Sequence, residues 1–294
     1  MEKSLEQLAD EGELFYNMET ELVKQQLYDV IKQASIEASV ARQIVQVVPL
    51  RAGAALDFVL ADKDSMEFRR VAEGARIPID NEAYTKVTVT PVKWGNQIVV
   101  SKEIQEDANW DVVQRNLKQA GREAAVREDN IVFTALGDTT NGFSSATTNS
   151  TSHNYTSAGT EIGIADIVTG ARLVRHNDYQ PNTLILHPQQ LGEIQQIDTF
   201  VEADKLGSQE MLLRGQVGKI YGLNVLVTTT AWVGGTTQYA WVLDSKEAGV
   251  LVVRRPLTMK TYEIPERDAI GVAVTFREEA RCLRAASGVR ITVS

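Results

Sequence analysis

The eight residues from Gly215 to Gly222, GQVGKIYG, hold three glycines and a lysine. Such residues can wrap a phosphate, because glycine amides approach the oxygens closely and a lysine neutralises their charge. The spacing argues against it. Gly218-Lys219 is followed by Ile220, so the hydroxyl that would hold magnesium is missing. Leu213 stands where the first glycine of a Walker loop belongs, and the steps Gly215, Gly218, Gly222 also break the dinucleotide pattern. The sequel LNVLVTTT is β-branched and reads as a strand, whereas a phosphate loop opens a helix. The expectation is therefore structural. Gly215 ends a helix, Gly218 lies in the turn, and Gly222 turns the chain into a strand with positive φ.

Other candidate chemistry is sparse. His153, His176 and His187 are scattered, without metal-ligand spacing, and His187 before Pro188 reads as a turn residue leaving a strand. There is no Gly-x-Ser-x-Gly elbow, and Cys282 has no nucleophile signature around it. Glu278 and Glu279 are adjacent on an extended run, so they point to opposite sides and at most one faces any given site. The expectation for both is a solvated or salt-bridged strand edge. No cofactor and no metal are expected.

The elements that would position a site are clearer. The chain has 294 residues, 43% hydrophobic and 23% charged, enough for a substantial core. Its net charge of −9 disfavours a protein whose task is to grip nucleic acid. One cysteine forbids an intrachain disulfide. Neither a signal peptide nor a bilayer-spanning apolar run is recognisable. Leu5 to Ala41 carries a helical stripe interrupted at Gly12, and QIVQVVPL is an extended run ending at Pro49. Residues 66–104 hold two or three extended runs around the polar, turn-rich EGARIPIDNEAYT, with a turn at Gly74. A hairpin that long and that polar cannot bury itself, so it reads as an arm that packs on another subunit. A helix follows from Trp110 to about Leu136, capped by Asp107 or Asn109, with Val113, Leu117, Ala120, Ala124 and Ile131 as its apolar stripe and Phe133 near the edge. Residues 137–163 are Ser/Thr/Asn/Gly-rich and read as a loop or a loosely held hairpin on the surface. Beyond Ile164, helix and strand patterns alternate: IADIVTGARLVRHN, TLILHP, QQLGEIQQI, QEMLLRGQV, LNVLVTTT, YAWVLD, GVLVVRRPLTMKTYEI, and two closing strands broken at Ala285 to Gly288.

In this order the pieces resemble the major capsid protein of tailed double-stranded DNA viruses, the α+β fold named after phage Hong Kong 97. The resemblance lies in VAEGARIP with its extended run, in VSKEIQEDANWDVVQRNLKQAGREAAVREDNIVFTALGD as a spine helix ending at Gly-Asp, in NTLILHPQQLGEI, in GKIYGLNVLVT, and in FREEARCLRAASGVRITV. It implies an N-terminal arm over 1–48 and an extended loop over 66–100. It also implies a peripheral domain from 49–65, 101–140 and 250–283, and an axial domain from 141–249 and 284–294. It implies a non-enzymatic subunit that associates with itself through hexamers and pentamers into an icosahedral shell. Such a shell encloses double-stranded DNA without reading its sequence and binds no membrane. The location implied is the virion, after assembly in the host cytoplasm. Family members lay the N-terminal arm across an adjoining subunit. Contacts between subunits are then expected at Glu73, Arg76, Lys86, Glu278 and Glu279. One member welds its shell by an isopeptide bond between a loop lysine and an asparagine, helped by a glutamate. Lys86 matches that lysine and Glu278 or Glu279 the glutamate, but no asparagine lies near Gly271, so no cross-link is expected. About 45 residues precede the fold, less than a domain, so any scaffolding protein is expected to be separate, as are portal and decoration proteins. Two rivals remain: an encapsulin, which has the same fold around a cargo enzyme, and an α/β enzyme using the glycine-rich turn.

Overall fold

The computed structural model describes residues 39–61, 68–77, 79, 81, 84–101, 111–138, 140–143, 154–157, 159, 161–196, 218–231, 238–267 and 269–293. The helix expected before residue 39, the helical piece QEMLLRGQV, Asp107, Asn109 and Gly215 lie outside them. The chain forms two units. One comprises residues 1–40, 92–130 and 255–278, and the other residues 41–91, 131–254 and 279–294.

The second unit is built on a six-stranded sheet. Its order is β5 (Asn154–Thr156), β12 (Gly288–Val293), β9 (Gln238–Leu243), β6 (Thr183–Leu186), β8 (Leu223–Val227), β7 (Lys219–Ile220). β6 is apolar but for Thr183 and wholly buried, as befits a central strand with neighbours on both sides. One sheet face carries Leu184, Leu186, Ala240, Val242, Val289, Ile291 and Val293. Helix α3 (Ile164–His176) supplies Ile167, Ala171 and Val174 to this core, and helix α4 (Pro188–Gln195) supplies Ile194. Gly170 makes the approach of α3 possible, since a Cβ there would stand 3.1 Å from Ile291 and 3.3 Å from Val242. The opposite face presents Trp241, whose ring lies 6.0 Å from Phe133 and 6.1 Å from Phe143. Gly288 leaves room for Phe143, because any Cβ would meet that ring at 2.3 Å.

Helix α2 (Asp111–Leu136) is the 26-residue helix expected from the spacing. Leu117 and Ile131 of the expected stripe are buried, and Ala120 and Ala124 are half-buried, but the buried side is wider than the stripe. Ala125, not Ala124, is fully buried, and Phe133 is core instead of edge. The last turn is buried at Ile131, Val132, Phe133 and Leu136, so a single stripe does not describe that end. Two further expectations are corrected. Asn154–Thr156, inside the expected loop or hairpin, is a strand that pairs with no neighbour in a hairpin but adds parallel to the edge of β12. The run LNVLVTTT is strand only to Val227. Thr228 Oγ1 then accepts from the Thr230 amide at 3.2 Å and bends the chain into a 3-10 turn at Thr229–Ala231.

In the first unit, β4 (Val92–Ser101) runs antiparallel to β11 (Ala269–Cys282), from Val92↔Glu278 to Ser101↔Ala269. Leu117 of α2 packs on Val272 and Val274 with Ile98, Leu257 and Met259. The Arg127 guanidinium stacks 3.8 Å from the centre of the Trp94 ring. Asp129 is 1% exposed and accepts from Ser39 Oγ at 3.2 Å and from the Val40 amide at 3.1 Å. The strand β10 (Gly249–Ile264) is hydrogen-bonded to β11; its start belongs to the second unit, where it runs parallel to β1 (Gln46–Pro49), which follows the short helix α1 (Ala41–Ile44).

Candidate assembly surface

The hairpin is formed by β2 (Leu56–Ala61) and β3 (Tyr84–Val89), paired from Leu56↔Val89 to Ala61↔Tyr84. The extended run that follows Pro91 is not its partner. Pro91 cannot donate to a ladder, and the chain re-enters extension as β4 along β11. Among the described residues of the hairpin, those at its base are tied to a core: Leu56 and Phe58 pack against Leu50, Val89, Val250 and Val252. Away from the base the exposure rises. Val59 is 65% exposed, Tyr84 62%, Ile77 74%, Ile79 79% and Phe68 fully. Val59 and Tyr84 stand on a two-stranded ribbon, which has no inner face to hide them, and Phe68, Ile77 and Ile79 lie on the segment that joins its strands. Reading the segment as polar missed Phe68, Ile77 and Ile79. The alternation Ile77-x-Ile79 was the available signal.

The segment between the strands turns at Ala72–Ala75, closed by the Ala75 amide to the Ala72 carbonyl at 3.0 Å. Gly74 sits in that turn with φ +77° and no atom within 4 Å of a would-be Cβ. Glu73 and Arg76 flank it, both exposed. Lys86 is exposed on β3, and its Nζ lies 2.9 Å from Asp57 Oδ2 on β2. Thr88 Oγ1 donates to Asp57 Oδ1 at 2.7 Å. Lys86 and Thr88 together hold the Asp57 carboxyl below its ordinary range, with desolvation opposing them weakly. The carboxylate that engages Lys86 is thus Asp57, a residue the sequence did not single out.

Glu278 is a correction. It was expected at a solvated or salt-bridged strand edge and is 1% exposed, because β11 is an interior strand between β10 and β4. Glu279, on the opposite side of the strand, is half-buried. In the stretch that opened the question of chemistry, Gly218 is exposed, Lys219 and Ile220 form β7, and Tyr221 and Gly222 make the turn into β8 with φ of +50° and +82°. Two consecutive positive φ values are those of a type I′ hairpin turn. The lysine therefore opens a strand instead of a helix, and no ring of helix amides is aimed at an anion.

No other described feature favours chemistry. Among the described residues no group of three or more His, Cys, Asp or Glu is placed to hold a metal. No helix among them is long and apolar enough to cross a membrane. The Cys282 thiol is buried, and desolvation pushes it up to about 12, so it is no nucleophile near neutral pH. His187 is the N-cap of α4. Its Nδ1 accepts from the Gln189 amide at 3.3 Å, while Gln190 Oε1 accepts from the His187 amide at 3.0 Å. A cavity of about 570 Å³ in the second unit is lined by Asp178, Tyr179, Gly222, Asp244, Glu247 and Arg284 among others. Three of its charges are committed to the fold: Asp244 accepts from the Gln180 and Lys246 amides, and Arg284 Nε lies 3.4 Å from Glu247.

The comparisons with known proteins agree with this architecture. The fold is similar to a solved structure from Microbacterium phage Oxtober96, with TM-score 0.64, 13% identity, and coverage of 86% of this chain and 90% of that one. It is similar to the mature capsid of bacteriophage PhiM1, with TM-score 0.62, 13% identity, and coverage of 86% of each chain. It is also similar to the capsid of an empty GTA particle, with TM-score 0.65, 15% identity, and coverage of 87% and 90%. No curated protein matches the sequence closely enough to count as a relative. The α+β fold is thus of the Hong Kong 97 type. The family model described as phage capsid protein matches residues 84–290, well over half of the chain. By that match the chain belongs to the phage capsid protein family.

Proposed function

We propose that this capsid protein associates with itself through hexamers and pentamers into an icosahedral shell around the double-stranded DNA of a tailed virus. The subunit acts by covering its neighbours and catalyses no reaction. The exposed apolar hairpin carries this reading. Phe68, Ile77 and Ile79 gain roughly 1.5–3 kcal/mol each when fully buried, and a neighbouring subunit supplies the cover their own chain lacks. Glu73, Arg76 and Lys86 then lie at the rim of that contact. The unit with the six-stranded sheet corresponds to the axial domain and the unit with β4, β11 and most of α2 to the peripheral domain. Virion assembly in the host cytoplasm, with separate scaffolding, portal and decoration proteins, fits the same reading.

Electron microscopy of the expressed protein tests it. Wild-type subunits should form closed shells, and Ile77→Ser with Ile79→Ser should leave folded subunits that do not close. Normal shells from the double variant would remove the role of the hairpin. Nuclease-protected DNA inside infected-cell particles supports the viral reading, whereas a single copurifying enzyme would replace it with a cargo compartment.

A further inference from the structure

On the six-stranded sheet, the face turned away from α3 loses its cover beyond Trp241. Arg290 of β12 stands opposite Trp241 of β9, and Thr292 opposite Tyr239, so all four share that face. Tyr239, Arg290 and Thr292 are half-buried, and Thr156 of β5, which pairs with Thr292, is exposed. The Arg290 guanidinium stacks 4.5 Å from the centre of the Tyr239 ring. Its Nε is buried without an acceptor, and no hydrogen bond or ion pair joins its Nη groups to any described residue. A guanidinium carries five N–H donors, and here none is matched. Burial pulls the pKa of Arg290 down, and the Tyr239 side chain offsets only part of that. A half-buried cation without an acceptor costs the free subunit, and an anion would complete it.

The surroundings select the anion. Arg290 is the one cation on this face of β5, β12 and β9 among the described residues. Affinity for nucleic acid grows with the number of phosphates neutralised, so a lone, recessed cation suits a side-chain carboxylate better than a duplex. Arginine and tyrosine are also the residues that anchor contacts between proteins. The chain has 39 acidic side chains to 30 basic, so a second copy brings carboxylates in excess. In the unit that holds Arg290, the described exposed carboxylates without a hydrogen bond or ion pair are Glu73 and Glu161. Glu73 belongs to the hairpin. Glu161 directly precedes Ile162, which is buried in the core with α3, so Glu161 and Arg290 lie toward opposite faces of the sheet. A ring of identical subunits joins two different faces of the chain. We propose that Arg290 receives the Glu161 carboxylate of a second copy, as a contact between neighbours in the hexamer and pentamer. This contact rests on the assembly reading.

Variants at Arg290 test it. Arg290→Met keeps an apolar stem and a sulfur contact with Tyr239. The free subunit should unfold at the same denaturant midpoint or a later one, while shells should need at least about tenfold more subunit to form. An earlier midpoint would assign Arg290 to the fold of its own subunit, and shells at the wild-type concentration would remove it from the contact; either result overturns the proposal. Arg290→Glu should block closure and Glu161→Arg in the same chain should restore it, and a double variant that stays open would count against the pair. In Arg290→Lys the new amine permits zero-length carbodiimide coupling, on particles assembled from isotopically light and heavy chains. Mass spectrometry should find that amine joined to Glu161 of the other isotope. A product confined to one chain, a product with a different carboxylate or a different protein, formaldehyde adducts with DNA in its place, or no product would each overturn the proposal. Wild-type chains that form no shells would sink the assembly reading itself, a result distinct from normal shells of Arg290→Met.

Discussion

Gly222 has φ +82° and nothing within 4 Å of a would-be Cβ, so a substitution there meets backbone strain and no clash. Gly222→Val should cost about 1–2 kcal/mol, since a β-branched residue resists the left-handed region. Denaturant unfolding of the unassembled subunit would show it as an earlier midpoint. Lys219→Ala should leave the midpoint unchanged, because Lys219 is exposed on a two-residue strand. The need for glycine at this position was legible from the chain, whereas the tyrosine at φ +50° beside it was not. Asp57 offers a second residue-scale measurement. Its folded carboxyl is held low by Lys86 and Thr88, so its contribution is complete above the unfolded carboxylate range, near pH 4. It is lost as pH falls through the lowered folded value. Lys86→Met should move the Asp57 titration upward by NMR, and an unmoved titration would mean that Thr88 alone sets it. Periodicity could not reveal this pair: the two residues stand 29 positions apart, and only the register Asp57↔Thr88 makes Lys86 the diagonal neighbour.

At the scale of elements, Asp166 joins β5 to the start of α3. It accepts from Tyr155 Oη at 3.0 Å, Ser157 Oγ at 3.0 Å and the Gly163 amide at 2.9 Å, while only 8% exposed. Asp166→Ala strips three donors of their acceptor and should cost about 1–3 kcal/mol. Hydrogen exchange should then quicken first at the Ser157 amide, which bonds the Thr292 carbonyl and closes β5 on β12. Uniform loss of protection over the sheet would assign Asp166 to the whole core instead. Among the described residues after Ile164, α3, β6, α4, β8 and β9 were legible because each is short and bounded by turn residues, and β10 and β11 because their β-branched runs are long. β5 was hidden because Asn154, Tyr155 and Thr156 sit in a Ser/Thr/Asn-rich stretch, and pairing with β12 rather than local preference makes them a strand. The buried face of α2 was legible at Leu117 and Ile131, while Val132 and Phe133 beside Ile131 widen the buried side beyond a single stripe.

For the whole molecule, the order of elements was legible while the hairpin's partner and cover were not, because single-chain patterning says nothing about which strand a run will join. The sequence has no asparagine near Gly271, so no isopeptide weld is expected. Assembled particles boiled in detergent should run as one band near 32.4 kDa, and a ladder of covalent multimers would refute this. The boundary between the two units has a thermodynamic consequence of its own. Three of its five crossings fall within elements: in α2 between Asn130 and Ile131, in β10 between Arg254 and Arg255, and in β11 between Glu278 and Glu279. None of these crossings is a linker. Melting either unit alone would leave a frayed helix and two frayed strands at the other, so the two should melt together. Calorimetry of the free subunit should give one endotherm whose van't Hoff and measured enthalpies agree. The shell is then built from parts that fail all at once, and partial melting is closed to the subunit as a way to change shape.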